Sequence, residues 1–262
     1  MRPSPVFLGI LAAAVLGGVL CAFGPTDLSA TQSAMVKGGT VLLVLGGWGV
    51  SLCLHEFGHA FVAYRGGDVA VRAKGYLTLD PRRYTDPVFS LLIPLLLVLV
   101  GGIPLPGGAV WINHHALRDK KVESAVSLAG PLSNLAIGVL LTLVVKLALP
   151  ADAYVDGRPA LHPLGWALSF LALLQIFAFL LNILPIPGLD GWGALEPWLP
   201  YEAQRFGAQA RPWAPLILFA VLIGIHPIGD FFQAIASDIF TGVGGNAFSA
   251  GNGQVLFFFW RS

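Results

Sequence analysis

Residues 3–26, 124–145 and 159–189 contain no Asp, Glu, Lys or Arg, and each run exceeds the roughly 20 residues that a helix needs to cross a hydrocarbon core. Residues 38–64 carry one charge, Glu56, and residues 212–240 carry only Asp230 and Asp238. The rest agrees with these runs: 56% of residues are hydrophobic, 11% are charged and the mean hydropathy is +0.76, outside the range of soluble domains. This composition implies an integral membrane protein in a lipid bilayer. No stretch is polar for long enough to form a separate soluble domain, so residues 1–262 read as one membrane domain.

A net charge of +1 and the lack of a dense basic tract with interleaved aromatics exclude a nucleic-acid partner. Cys21 and Cys53 both fall inside apolar runs and read as buried free thiols, not as a disulfide framework. Arg2 before the first apolar run leaves two readings, a signal peptide or an uncleaved first helix; the length of the run favours the helix. The Gly-rich stretch TGVGGNAFSAGNG, 241–253, reads as a mobile end.

Within the run 38–64 lies HEFGH, residues 55–59. Helix positions i and i+4 share a face, so His55 and His59 can turn their imidazoles to one ion with Glu56 beside them. This is the H-E-x-x-H pattern of zinc peptidases, in which two neutral nitrogens hold the metal and the carboxylate takes a proton from the attacking water. In a soluble protein so short a pattern is weak. In a bilayer an ionisable side chain costs about 2.5 kcal/mol or more, which makes it a functional candidate by default. The competing role is a polar cluster that only joins helices.

A catalytic zinc needs a further protein ligand. The run FLLNILPIPGLDGWGALEP, 179–197, ends its uncharged part at Asp190, after Pro185 and Pro187 interrupt helical hydrogen bonding. Backbone freed at membrane depth is tolerated where it lines a cavity or packs inside protein. The alternative is that Asp190 caps a helix starting near Gly191.

With HEFGH at 55–59, AGPLSN at 129–134 and NILPIPGLDG at 182–191, the chain resembles the site-2 proteases, zinc metalloproteases that cut within membranes. The resemblance covers about residues 38–195, with peripheral helices at about 5–24 and 212–240. It implies one Zn²⁺ per chain held by His55, His59 and Asp190, with Glu56 as catalytic base. It gives Asn182 a role at the substrate backbone or the developing oxyanion, and Asn134 a looser role in substrate binding or in joining helices. Trp192 stands where that family often has a small residue, which bears on the shape of the cavity and not on the metal.

The implied function is hydrolysis of a peptide bond in or near a transmembrane segment of another membrane protein, as in regulated intramembrane proteolysis. The alternatives are a zinc-binding pseudoprotease or scaffold, against which Glu56 argues, and a cation transporter, against which the lack of an inverted repeat argues. No spacing links His114, His115, His162 or His226 to the site. Trp111, Trp198, Tyr201 and Trp213 fit an interfacial aromatic belt.

The segment 87–113 is expected to enter the membrane and return. His55, His59 and Asp190 sit toward the C-terminal ends of their segments, so both ends must share one side, and a full crossing by 87–103 would separate them. That arrangement puts eleven Lys and Arg on the catalytic side and leaves four, Lys37, Lys146, Arg158 and Arg261, on the other. The positive-inside tendency makes the first side cytoplasmic, in what reads as a prokaryotic cytoplasmic membrane. The expected fold is an all-α polytopic membrane protein of about five to six transmembrane helices, with a re-entrant or extended element near the active site. The return GGIPLPGGAVWIN could run extended and accept a substrate by β-addition.

Overall fold

The structure, a computed structural model, describes residues 3–25, 31–83, 111–149, 154–155, 158–159 and 162–261. Among these, four helices are long and apolar enough to span a membrane: α1 (Pro5–Ala22), α2 (Ala34–Gly66), α4 (Lys120–Ala148) and α5 (Pro163–Asn182). A short α3 (Ala70–Ala73) follows α2, and the pair Tyr154–Val155 and Arg158–Pro159 makes one antiparallel bridge before α5. After α5 come α6 (Asp190–Leu195), α7 (Tyr201–Ala210), α8 (Ala214–Gly224), α9 (His226–Gly242) and α10 (Ala247–Phe257). The segment expected to enter and return, 87–113, lies outside the described residues as far as 110.

The expected helical membrane architecture is present, with two differences. Residues 212–240 are not one helix: α8 ends at Gly224, Ile225 leaves helical geometry (φ −112°, ψ 84°), and α9 starts at His226. Pro227 explains the break, since it has no N–H to give to the Ile223 carbonyl one turn earlier and its ring crowds that carbonyl. α7 and α8 form a pair bent by 63° that passes the same test for spanning. The Gly-rich end is also not irregular throughout. α10 occupies its second half, capped by Asn246, whose side chain accepts from the Ser249 N–H at 3.0 Å.

Contacts divide the chain into two compact units. One comprises residues 8–51, 135–176 and 235–262. In it α1 lies close against α2: a Cβ on Gly17 would overlap the Leu43 backbone, and one on Gly39 would reach the Gly17 carbonyl. Small residues let membrane helices approach to backbone contact where no hydrophobic force drives them together. Cys21 is buried there with Leu43 and Ala167, and both cysteines are buried and outside any disulfide among the described residues, as the sequence implies.

The other unit comprises residues 1–7, 52–134 and 177–234. Its core packs Ala63 of α2, Val71 of α3 and Val126 of α4, with Ile112, Leu117 and Val122 against them. This packing sets the C-terminal half of α2, which carries HEFGH, beside the N-terminal half of α4.

Candidate metal centre and active site

His55, Glu56 and His59 are all buried on α2, at 5%, 3% and 7% exposure. The i, i+4 spacing puts the two imidazoles 4.7 Å apart, edge to face, with their Nε2 atoms 3.1 Å from each other. Asp190 closes the triangle: its Oδ2 lies 3.2 Å from His55 Nε2 and its Oδ1 3.4 Å from His59 Nε2. Among the described residues these three form the one group of His, Cys, Asp or Glu able to hold a metal ion.

Asp190 reaches this place because α5 stops at Asn182. Pro185 and Pro187 prevent its continuation, and Gly188 turns the chain at φ +96°, a conformation that costs a residue with Cβ. The helix cap expected as an alternative for Asp190 is not what forms. α6 begins at Asp190 itself, its N-cap is Leu189 without a side-chain cap, and the carboxylate faces the histidines.

The remaining ring nitrogens define the tautomers. His59 Nδ1 donates to the Val126 carbonyl at 2.6 Å, and His55 Nδ1 donates to Asn134 Oδ1 at 3.2 Å. With each Nδ1–H engaged, both Nε2 lone pairs face Asp190, and such partners orient and polarise metal-ligating imidazoles. Both partners sit on α4, which contains Pro131. That proline cannot donate to the Ser127 carbonyl, one residue from Val126, and loosens the helical ladder there. Gly130 supplies the space: a Cβ on it would overlap both Nε2 atoms. Two imidazole nitrogens and one carboxylate oxygen around such a clearing fit a catalytic zinc, whose three protein ligands leave a coordination position open.

A cavity of about 410 Å³ opens on this centre; Glu56, Asn182, Ser127 and Ile112 are among the residues that line it. Asn182 is 4% exposed and its Nδ2 has no hydrogen-bond partner. Buried donors are rarely left unpaired, and one beside a metal centre calls for an explanation. Trp192 is not in the cavity wall; its indole lies against Gly207 of α7.

Two parts of the site escaped the sequence reading. The Val126 carbonyl is backbone and has no residue signature, although the proline five positions later marks a weakened helix. His114, linked to nothing by spacing, lines the cavity.

The sequence has relatives among known proteins. The chain is 42% identical to zinc metalloprotease Rip2 of Mycobacterium tuberculosis over 99% of its own length and 95% of that protein. It is 45% identical to the Rip2 of Mycolicibacterium smegmatis, over 100% of this chain and 96% of the relative. Zinc metalloprotease YwhC of Bacillus subtilis is 32% identical over 70% of this chain and 80% of its own. No protein-family model and no solved structure matches the chain.

Proposed function

This chain belongs to the site-2 protease family of zinc metalloproteases, and from that premise we propose that it hydrolyses a peptide bond in or near a transmembrane segment of another membrane protein. The observation that carries this reading is the triangle of His55, His59 and Asp190 with Glu56 buried beside it in a membrane-spanning helix.

The cofactor is Zn²⁺, and His55 Nε2, His59 Nε2 and a carboxylate oxygen of Asp190 would hold it, one ion per chain. When bound, it polarises the scissile carbonyl and acidifies water, so that a nucleophile exists at neutral pH. Glu56 takes the proton from the attacking water and delivers it to the leaving amine nitrogen. Asn182 Nδ2, an unpaired donor in the cavity wall, donates to the oxygen that gains charge as the carbonyl becomes tetrahedral. Asn134 acts through His55 by holding its ring, a positioning role that rests on the 3.2 Å contact of its Oδ1 with His55 Nδ1. Burial of His55, Glu56 and His59 strengthens these electrostatic contacts.

The substrate is a membrane protein whose helix unwinds locally to lie extended in the cavity, and cleavage releases a regulatory segment. The excess of Lys and Arg on the catalytic side supports an active site that opens toward the cytoplasm.

The test uses the parent protein and Glu56→Gln in liposomes with a quenched-fluorescent single-span peptide. Both should bind about one zinc per chain, because the three ligands are intact, and only the parent should cleave. Equal cleavage by both would remove Glu56 as the base; cleavage by neither, with zinc bound, would favour the scaffold reading.

A further inference from the structure

We propose that His114 is a substrate-binding residue of this protease, presenting its Nε2 to a backbone N–H of the peptide in the cavity; this rests on the reading of that cavity as a peptidase site.

The first observation is how the chain around His114 is held. Asn113 is extended (φ −86°, ψ 94°), and residues i and i+2 of an extended chain face the same way. Ile112 and His114 both line the cavity. The intervening Asn113 N–H donates to Asp68 Oδ2 at 2.8 Å, and the other oxygen of Asp68 accepts from the Ala70 N–H at 3.0 Å. Asp68 is 1% exposed, so a buried carboxylate just beyond the HEFGH helix fixes this stretch of cavity wall. Arg118 adds a second tie, donating from its backbone N–H and its Nε to the Gly66 carbonyl at the end of α2.

The second observation is how the ring is held. His114 Nδ1 lies 2.7 Å from Glu123 Oε1, in the first turn of α4. A neutral imidazole that donates from Nδ1 to a carboxylate carries an acceptor lone pair on Nε2. Backbone and ring are therefore both fixed, yet the side chain remains 54% exposed at the cavity. A side chain used only for packing has no need of this arrangement.

The third observation is complementarity. An extended peptide offers a carbonyl acceptor and an N–H donor in alternation. Among the described residues that line the cavity, Asn182 carries a buried amide donor, Nδ2, without a partner, and His114 Nε2 adds an acceptor. Together they match backbone and not side-chain chemistry, as suits an enzyme that takes an apolar segment of varied sequence.

The test exploits the two ring nitrogens, since a Gln amide reaches the position of Nε2 and an Asn amide that of Nδ1. KM and kcat are measured for the zinc-loaded protein with the quenched-fluorescent single-span peptide, alongside zinc content. Peptide Kd is measured in the Glu56→Gln background, where no turnover is needed. His114→Phe and His114→Asn should raise KM and Kd about tenfold, the worth of one hydrogen bond, with kcat within about threefold of the parent and full zinc. His114→Gln should recover most of that affinity. The reverse ranking, Asn restoring affinity and Gln not, would show that only the Nδ1 link to Glu123 matters and would overturn the proposal. Parent-like affinity of the Phe variant would overturn it equally. A parent protein that fails to cleave the peptide while binding it would instead count against the protease reading.

Discussion

Gly130 of α4 lies directly against the imidazole of His59, so close that a Cβ would overlap Nε2 of both His59 and His55. The glycine is thus part of the metal site without offering a ligand. In a helix interior alanine is favoured over glycine by about 1 kcal/mol, so Gly130→Ala should not weaken α4 itself. It should displace the two nitrogens and lower zinc content well below one per chain, with the helical circular dichroism retained. A Gly130→Ala protein with full zinc would show that the imidazoles sit elsewhere in the working enzyme.

Asn134 and Asp190 separate two ways of losing zinc. Asp190→Ala removes a ligand and should abolish stoichiometric binding. Asn134→Ala removes only the acceptor at His55 Nδ1 and should weaken zinc by about 10- to 100-fold, the usual range for such outer partners. Asn134→Asp, which still presents an oxygen to that N–H, should recover part of the loss. Competition with a chromogenic chelator measures all three. If Asn134→Ala binds zinc as tightly as the parent, the 3.2 Å contact does not orient the ring.

Much of this site was legible in the sequence because its chemistry is carried by ionisable groups where a bilayer penalises them. His55, Glu56, His59 and Asp190 were therefore conspicuous, and the prolines before Asp190 explained how an acid could follow an apolar helix. Asn134 was visible, but its role was not, since that depends on which face of α4 meets His55. Val126 acts through a carbonyl that every residue possesses. The break at Ile225 had a local signal in Pro227, which the apolar composition on both sides outweighed.

In the unit that does not hold the metal, Ser51 of α2 donates its hydroxyl to Oε1 of Gln175 of α5, and both are buried. The Nε2 of Gln175 has no partner. Ser51→Ala removes the bond to this amide and should destabilise the protein by about 1–3 kcal/mol. Gln175→Leu removes the unpaired donor as well, and the Ser51 hydroxyl can turn back to a carbonyl of its own helix, so its cost should be smaller. Thermal unfolding in detergent gives the ranking; a larger loss for Gln175→Leu would mean that the glutamine acts mainly by packing.

Asn182 offers the sharpest separation of catalysis from stability. Its Nδ2 is buried without a partner, a cost to the folded protein that a substrate oxygen would repay. Asn182→Ala removes that unpaired donor, so the variant should keep its zinc and unfold at the same temperature as the parent or higher, as expected where a functional group is held at the expense of stability. Cleavage should nevertheless slow by about 10- to 1000-fold in kcat, the range for loss of one oxyanion donor, with a smaller change in KM. Loss of activity accompanied by a lower unfolding temperature would make the amide a structural link at the end of α5. Full activity would remove it from the reaction.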